Sequence, residues 1–151
     1  MDNKIDRKKV LIVGEYKLAK AIASSLLKRG CSVTVINDDS EECERLAEIK
    51  GLSVIFGNGT RKSVLKDASV ESSDIVIAVT ECDEKNLIIS EICKDDFKVK
   101  RTIALLEDGE KSSFFYKMGV DRIISPLNMV TTIMEEEALK DEVTNRLSIG
   151  N

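Results

Sequence analysis

The sequence predicts an α/β protein of the Rossmann type, with a doubly wound parallel sheet of about six strands. Apolar runs of strand length alternate with stretches of helical period along the chain, as expected of successive βα units. The first run, residues 10–13, is apolar on both faces and leads directly into Gly14, so a buried strand turns into a helix at a glycine. A length of 151 residues with 42% hydrophobic and 33% charged residues suits one soluble globular domain.

The elements alternate strictly in this pattern. The β-rich apolar runs predict strands at 10–13, 32–36, 53–56, 75–79, 101–106 and 122–124. The helical periods predict helices at 17–29, 41–49, 62–68, 83–94 and 111–118. Two mononucleotide-binding halves of this kind have the sheet order 3-2-1-4-5-6, with ligands at the point where the order reverses. Right-handed crossovers then bring every loop that follows a strand to the same edge of the sheet.

Local signals set the ends of the first two helices. Gly14 starts the turn into the first helix, and Gly30 ends that helix. We expect this helix to turn one face to the sheet, formed by Leu18, Ala21, Ile22, Ser25 and Leu26. Ser40 is predicted to cap the second helix through its hydroxyl.

A further helical stripe follows Pro126. Between 129 and 139 it comprises Met129, Val130, Ile133, Met134 and Ala138. No seventh strand is available to cover this face, which predicts packing against another subunit. We therefore divide the chain into a nucleotide-binding domain at 1–127 and a crossover helix with its tail at 128–151, and we expect 145–151 to be frayed.

Composition argues against catalysis. The chain contains no histidine, which excludes Ser-His-Asp and Cys-His nucleophile systems and removes the commonest metal ligand. Its four cysteines have no CxxC or other metal-type spacing, and Cys43 and Cys93 fall on apolar helix positions, as buried thiols do. We therefore predict no catalytic residue and no metal site. Catalysis by a carboxylate, a lysine or a tyrosine is the alternative that this composition leaves open.

Charge and hydropathy limit the partners and the location. Lysine and arginine number 23 against 27 acidic residues, well mixed, which argues against nucleic acid as a partner. No apolar run is long enough to span a bilayer, and the charged residues at 1–9 lead into no signal-peptide core. The sequence thus predicts a cytosolic protein that does not insert into the membrane.

Residues 14–19 occupy the place of a glycine-rich phosphate fingerprint. Gly14 supplies the tight turn, and Ala19 serves nearly as well as the third glycine. Tyr16 holds the position that normally lacks a side chain, so it is expected to obstruct a pyrophosphate unless it swings aside. The candidate site includes Glu15, Lys17 and Leu18, since the outward amides of the first helical turn and the Lys17 ammonium attract phosphate. Gly14 as a purely structural turn is the alternative.

Polar residues after the second strand extend the candidate site. Asn37 stands where NAD sites carry an acid for the ribose hydroxyls, and Asp38 follows it. The acidic residues between 38 and 42 have no arginine beside them, so they would repel a 2′-phosphate and disfavour NADP. The alternative is a simple turn.

Two further loops meet the same edge of the sheet. Gly57, Asn58, Gly59 and Thr60 offer flexible amides and a carboxamide that can match an adenine edge or a ribose. After the fourth strand, the candidate residues are Val79, Thr80, Glu81 and Asn86.

We expect Gly14→Val to abolish nucleotide binding while the sheet stays intact, because a β-branched side chain would block the phosphate.

Five stretches occur in a characteristic order: VLIVG at 10–14, SVTVIN at 32–37, GNGT at 57–60, AVTECDEKN at 78–86 and MGVDRIISP at 118–126. In these stretches the chain, from Val10 to about Leu127, resembles the N-terminal domain of the TrkA/KtrA-type potassium-transport regulators, the RCK, KTN or TrkA-N domain. The resemblance implies cytosolic gating of a membrane potassium channel or transporter. It also implies binding of NAD(H) or of AMP, ADP or ATP, and assembly as dimers and rings through a helix after the sixth strand.

Three departures from that family pattern bear on the ligand. Tyr16 replaces the middle glycine, Asn37 replaces the usual acid, and Leu105 stands where an arginine is common. An adenine nucleotide with a single ribose therefore ranks ahead of NAD(H). The alternatives are the cofactor domain of an NAD-dependent oxidoreductase and a ligand-free scaffold for assembly.

Overall fold

A computed structural model, which describes residues 7–141, has the predicted doubly wound parallel sheet. The strand order is β3-β2-β1-β4-β5-β6, which confirms the order predicted from the alternating pattern. The strands are β1 Lys9–Gly14, β2 Ser32–Asn37, β3 Ser53–Phe56, β4 Ile75–Val79, β5 Arg101–Leu105 and β6 Arg122–Ile124. The helices are α1 Tyr16–Lys28, α2 Ser40–Ala47, α3 Lys62–Asp67, α4 Asp83–Asp95, α5 Ser112–Lys117 and α6 Pro126–Leu139. The sequence did not predict the two short 3₁₀ turns, Val70–Ser72 and Gly109–Lys111.

Strand β1 lies at the centre of the sheet and separates two core layers. Its alternate side chains point to opposite faces, as the two-residue period of a strand requires. Val10 and Ile12 pack with the α1 and α2 side of the sheet. Leu11 and Val13 pack with the side that α3, α4 and α5 cover. Both faces of the sheet are covered here, so β1 is apolar from Val10 onward, while Lys9, its first residue, is exposed.

The predicted inner face of α1 was partly wrong. Leu18, Ile22 and Leu26 do pack against the core. Ala21 and Ser25, however, are exposed, while Ala19 and Ala23 are fully buried. The buried face thus includes Ala19 and Ala23 in place of Ala21 and Ser25, so the helical period identified the large apolar residues of this face but not the small ones.

The cap of α2 also differs from the prediction. Asp39, not Ser40, is the N-cap, and its Oδ1 accepts a hydrogen bond of 3.0 Å from the Glu42 amide. Ser40 is the first helical residue. Both residues are good caps, and the carboxylate in the earlier position starts the helix one residue sooner.

Helix α6 begins at Pro126, in the first helical position, where the missing N–H of proline is not needed. None of its residues is buried against the rest of the described chain. The predicted apolar stripe is therefore exposed, with Met134 66% accessible. No helix in the described part of the chain is both long and apolar enough to span a bilayer. The frayed tail predicted at 145–151 lies outside the described residues, as do residues 1–6 and 142–144.

Candidate functional site

A cavity of about 440 Å³ opens at the carboxyl edge of the sheet, beside the point where the strand order reverses between β1 and β4. The loops that follow β1, β2, β3 and β4 form its walls. The cavity is lined by Val13, Gly14, Glu15, Ile36, Asn37, Asp38, Asp39, Glu42, Gly57, Asn58, Gly59, Thr60, Thr80, Glu81, Cys82, Lys85 and Ile89. The topology thus brings the four predicted loops to one site.

Most candidate residues named from the sequence line this cavity. Five of them do not: Tyr16, Lys17, Leu18, Val79 and Asn86. The sequence reasoning in turn left out seven lining residues: Val13, Ile36, Asp39, Glu42, Cys82, Lys85 and Ile89. Three of those are apolar strand or helix residues that form the floor, and no polar motif marks such positions.

Gly14 allows two strands to approach closely. It pairs with Val79 of β4, and the next amide, that of Glu15, donates to the Val79 carbonyl at 3.2 Å. A Cβ atom at position 14 would overlap the Val79 carbonyl oxygen and one of its methyl groups. The expectation that Gly14→Val would leave the sheet intact is therefore wrong, because the side chain would meet β4 itself.

Glu15 closes the N-terminus of α1 with its own side chain. Its carboxylate accepts hydrogen bonds of 2.6 Å from the Leu18 amide and 3.0 Å from the Lys17 amide. These amides carry the positive end of the helix dipole and are the donors that a phosphate would use. The expectation that they point freely outward was wrong, since a carboxylate of the chain already accepts from them.

Tyr16 points away from the cavity. Its ring packs in the core layer between α1 and α2. The Lys20 ammonium lies 5.5 Å from the ring centroid and the Arg45 guanidinium 5.8 Å from it, both within the range of cation–π attraction. The predicted obstruction by Tyr16 is thus absent, and Glu15 is the side chain that occupies the helix terminus.

Asn37 is buried and fully engaged. Its Nδ2 donates to the Gly14 carbonyl at 3.1 Å and to the Glu42 carboxylate at 2.9 Å, while its Oδ1 accepts from the Asp39 amide at 2.8 Å. The side chain therefore joins the ends of β1 and β2 to the start of α2. An acid at this position could not donate to Gly14 and would lie beside Glu42, which accounts for the amide here.

The Gly57–Thr60 loop forms a tight polar turn over β1. The Oδ1 of Asn58 accepts from the Thr60 amide at 2.9 Å and from its hydroxyl at 2.7 Å. The amide NH₂ of Asn58 has no partner among the described residues. Gly59 lies so close to Val13 that a Cβ there would overlap a valine methyl group. The loop thus offers backbone and one carboxamide to the cavity.

Asn86 orders the loop after β4. Its Oδ1 accepts from the Thr80 amide and hydroxyl at 2.9 and 2.6 Å, and its Nδ2 donates to the carbonyls of Thr80 and Leu105 at 3.1 and 2.9 Å. The side chain is 1% exposed and lies outside the cavity lining. It therefore joins the ends of β4 and β5 and fixes Thr80, which does line the cavity.

The cavity is strongly acidic. Its lining carboxylates are Glu15, Asp38, Asp39, Glu42 and Glu81. None of them forms an ion pair with a cation of the described chain. Lys85, in the first turn of α4, is the one lysine or arginine that lines the cavity within residues 7–141. The sequence reasoning favoured Lys17 instead, since it starts α1, but Lys17 is exposed and lies outside the lining.

The described residues form no metal site, and two of the thiols are inert. No group of three or more His, Cys, Asp or Glu side chains within 7–141 has the geometry to hold a metal ion. Burial raises the pKa of the Cys93 thiol to about 12. The pKa of the Cys43 thiol is also raised, mainly by burial and to a smaller extent by the negative charge of the Asp39 carboxylate. Both thiols stay protonated at neutral pH, as the prediction of buried cysteines implies.

Residues 10–126 match the sequence profile of the TrkA-N domain family. The chain is similar to the Trk system potassium uptake protein TrkA homolog of Methanothermobacter thermautotrophicus, with 28% identity over 94% of this chain and 65% of that protein. It is 34% identical to the homolog of the same name from Archaeoglobus fulgidus, over 79% of this chain and 27% of that protein. The chain thus spans between about a quarter and two thirds of the length of these relatives.

Solved structures share the fold at low identity. The TrkA-N domain of the inner membrane protein ybaL from Escherichia coli has a TM-score of 0.80, with 16% identity over 90% of this chain and 99% of that one. The GsuK channel bound to NAD gives 0.71, with 20% identity over 86% and 23% of the two chains. The Shewanella denitrificans Kef C-terminal domain in its AMP-bound form gives 0.74, with 17% identity over 95% and 89%.

Proposed function

Because the chain belongs to the TrkA-N domain family, we propose that it is a regulatory nucleotide-binding unit of a potassium uptake system. Its ligand is an adenine nucleotide, AMP, ADP or ATP, with NAD(H) as the second choice. The proposal depends on one observation, the cavity at the point where the strand order reverses between β1 and β4. The loops that the sequence identified as candidates all line this cavity. The bound NAD and AMP named for the GsuK and Kef structures support the same class of ligand.

The residues of the cavity supply the parts that an adenine nucleotide needs. Gly57, Gly59 and the Asn58 carboxamide offer hydrogen bonds to a base edge or a ribose, and Val13 and Ile89 give the base an apolar floor. Lys85 provides the cation for a phosphate. Asn86 acts in this scheme as a positioning residue for Thr80 rather than as a ligand contact.

AMP fits the polar groups better than a dinucleotide. Asn37 stands at the position that holds a ribose in NAD sites. Its side-chain amide is already hydrogen-bonded to the Gly14 carbonyl, the Glu42 carboxylate and the Asp39 amide. The Glu15 carboxylate covers the amides of Lys17 and Leu18, where a pyrophosphate would bind. A dinucleotide would have to displace both sets of bonds, which places NAD(H) second.

The proposed role is regulation without catalysis. Nucleotide binding would favour one of two arrangements of associated subunits, and its differential affinity for the two would bias a membrane potassium channel or transporter. The chain acts in the cytoplasm, next to the membrane through that partner. Helix α6 supplies the apolar surface for a homodimer or a larger ring, because its stripe is uncovered in the described chain.

Calorimetric titration with AMP, ADP, ATP and NADH tests the proposal. We expect AMP to bind, and Lys85→Gln to weaken AMP about tenfold, because it removes a charge-assisted phosphate contact. Lys66→Gln, which removes an exposed lysine of α3 outside the cavity, serves as the control and should leave the affinity unchanged. Absence of binding by all four nucleotides at millimolar concentration would refute the proposed function.

A further inference from the structure

We propose that Glu15 is an internal substitute for phosphate, and that it makes this site prefer the adenine nucleotide with the fewest phosphates. The inference rests on the proposed nucleotide site and specifies its ligand: AMP ahead of ADP, and ADP ahead of ATP. It follows from two independent observations, the hydrogen bonds of Glu15 and the uncompensated charge of the cavity wall.

The first observation is the geometry of the α1 terminus. Glu15 Oε1 lies 2.6 Å from the Leu18 nitrogen, and Oε2 lies 3.0 Å from the Lys17 nitrogen. Its two oxygens thus accept from two successive amides at the positive end of the helix dipole, as two phosphate oxygens would. Glutamate is not a preferred N-cap, because Ser, Thr, Asp and Asn reach these amides with shorter side chains. A phosphate can use the amides only if the carboxylate leaves.

The second observation is the sign of the charge around the ligand. Besides Glu15, the carboxylates of Asp38, Asp39, Glu42 and Glu81 line the same cavity. None of them is neutralised by an ion pair within the described chain, and Lys85 alone opposes them. Each further phosphate would therefore add repulsion with no additional cation to offset it.

Protein cations offer a triphosphate little compensation for this repulsion. Lys85 is the one cationic side chain among the described residues of the lining, so metal-free ATP would depend on it alone for direct cationic contacts. AMP brings a single phosphate, so Lys85 can offset most of its charge. The Glu15 carboxylate still repels that phosphate and competes with it for the α1 amides.

Calorimetric titration of adenosine, AMP and ATP tests the inference, with wild type and Glu15→Gln compared. We expect the wild type to bind ATP more weakly than AMP. Glu15→Gln should tighten AMP about tenfold while adenosine changes less than about twofold, because a neutral side chain no longer repels the phosphate and is a weaker competitor for the amides. Glu15→Ser, a neutral residue that caps helices well, should give the same gain and separates the effect from loss of helix capping.

The control and the ionic strength complete the experiment. Glu44→Gln removes one exposed carboxylate of α2 outside the cavity, and it should leave the ratio of AMP to adenosine affinity at the wild-type value. Raising NaCl from about 50 to about 500 mM should strengthen ATP binding to the wild type, because salt screens the repulsion. A site built from cations would show the opposite trend.

The outcomes separate the inference from the proposed function. Tighter binding of ATP than of AMP by the wild type, or an AMP-to-adenosine ratio unchanged in both Glu15 variants, overturns the inference and leaves the nucleotide site standing. Absence of binding by adenosine, AMP and ATP to the wild type overturns both.

Discussion

Three residues at the carboxyl edge of the sheet interact mainly with the backbone of neighbouring strands and loops. Gly14 permits close pairing of β1 with β4, Asn37 holds the ends of β1 and β2 together, and Asn86 does the same for β4 and β5. Each is buried or close to a neighbouring strand, and each fixes a loop that borders the cavity. The site therefore depends on residues whose direct partners are carbonyls and amides of the chain.

Gly14→Ala is expected to destabilise the fold by about 1–3 kcal/mol, because the added methyl group overlaps the Val79 carbonyl, which the sheet holds in place. Denaturant unfolding measures the change. Gly30→Ala is a useful comparison, since a Cβ at position 30 meets nothing within 4 Å and acts only through its φ of +89°. A wild-type midpoint for Gly14→Ala would show that β1 and β4 do not approach as described.

Asn37→Asp is expected to destabilise the protein by about 2–3 kcal/mol. It removes the donor to Gly14 and sets a buried carboxylate beside Glu42. Adding Glu42→Gln should recover part of the loss, because the new amide donates to the new carboxylate. Urea unfolding of the two single variants and the double variant gives the coupling between them, and strictly additive losses would contradict the described contact.

At the scale of elements, the sequence predicted the strands and helices well and the contacts of their ends poorly. The apolar runs are long enough and regular enough to define the sheet, since both its faces are buried. The capping of α2 by Asp39 and of α1 by Glu15 depends on which of several adjacent polar side chains accepts hydrogen bonds from the first amides of the helix. Composition and spacing do not distinguish these choices, because Ser40 and Asp39 are both suitable caps.

Asp121 joins β5, β6 and α4 at the opposite edge from the cavity. Its carboxylate accepts from the Lys94 ammonium at 2.6 Å and from the Thr102 amide at 2.8 Å. Burial by itself would raise the pKa of Asp121, but the hydrogen bonds from Lys94 and Thr102 outweigh it and lower the pKa below its ordinary value of 3.8. The interaction therefore stabilises the protein above about pH 4 and is lost as the pH falls through the lowered value.

Asp121→Asn is expected to lower stability at pH 7 by about 1 kcal/mol, a figure kept small because the side chain is 34% exposed and solvent screens the pair. The difference from wild type should shrink as the pH falls below 3.8, since the wild type then loses the same bonds. Thermal unfolding between pH 7 and pH 3 measures this. Asp95→Asn, which removes an exposed carboxylate of α4, should show neither effect.

At the scale of the whole molecule, α6 is the element that the described chain does not cover. Its Met129, Val130, Ile133 and Met134 are each at least half exposed. We expect the protein to self-associate through this stripe, and Ile133→Glu to shift it toward monomer because a charge would be buried in the interface. Sedimentation velocity measures the change. Thr131→Glu adds the same charge on the other side of the helix, and equal dissociation by both variants would contradict the assignment.

The sequence was also sufficient to predict the fold and which loops line the cavity, but not the hydrogen bonds of the polar side chains there. Crossover handedness and strand order follow from general rules, so the four loops had to meet. The orientation of Tyr16 depends on packing between α1 and α2, and the place of Lys85 in the cavity lining depends on how the loops assemble. No spacing in the sequence reveals either. The concentration of carboxylates around the cavity could be seen only in the assembled structure, because these residues come from separate parts of the chain.

The central claim is that an adenine nucleotide binds where the strand order reverses. Amide chemical-shift mapping with AMP on the labelled protein tests it most directly, because the backbone of each loop reports separately. We predict concentration-dependent shifts in the loops after β1, β2, β3 and β4, centred on Gly14, Asn37, Asn58 and Lys85. Shifts confined to α6 or to the opposite edge of the sheet, or no shifts at millimolar AMP, would contradict the account.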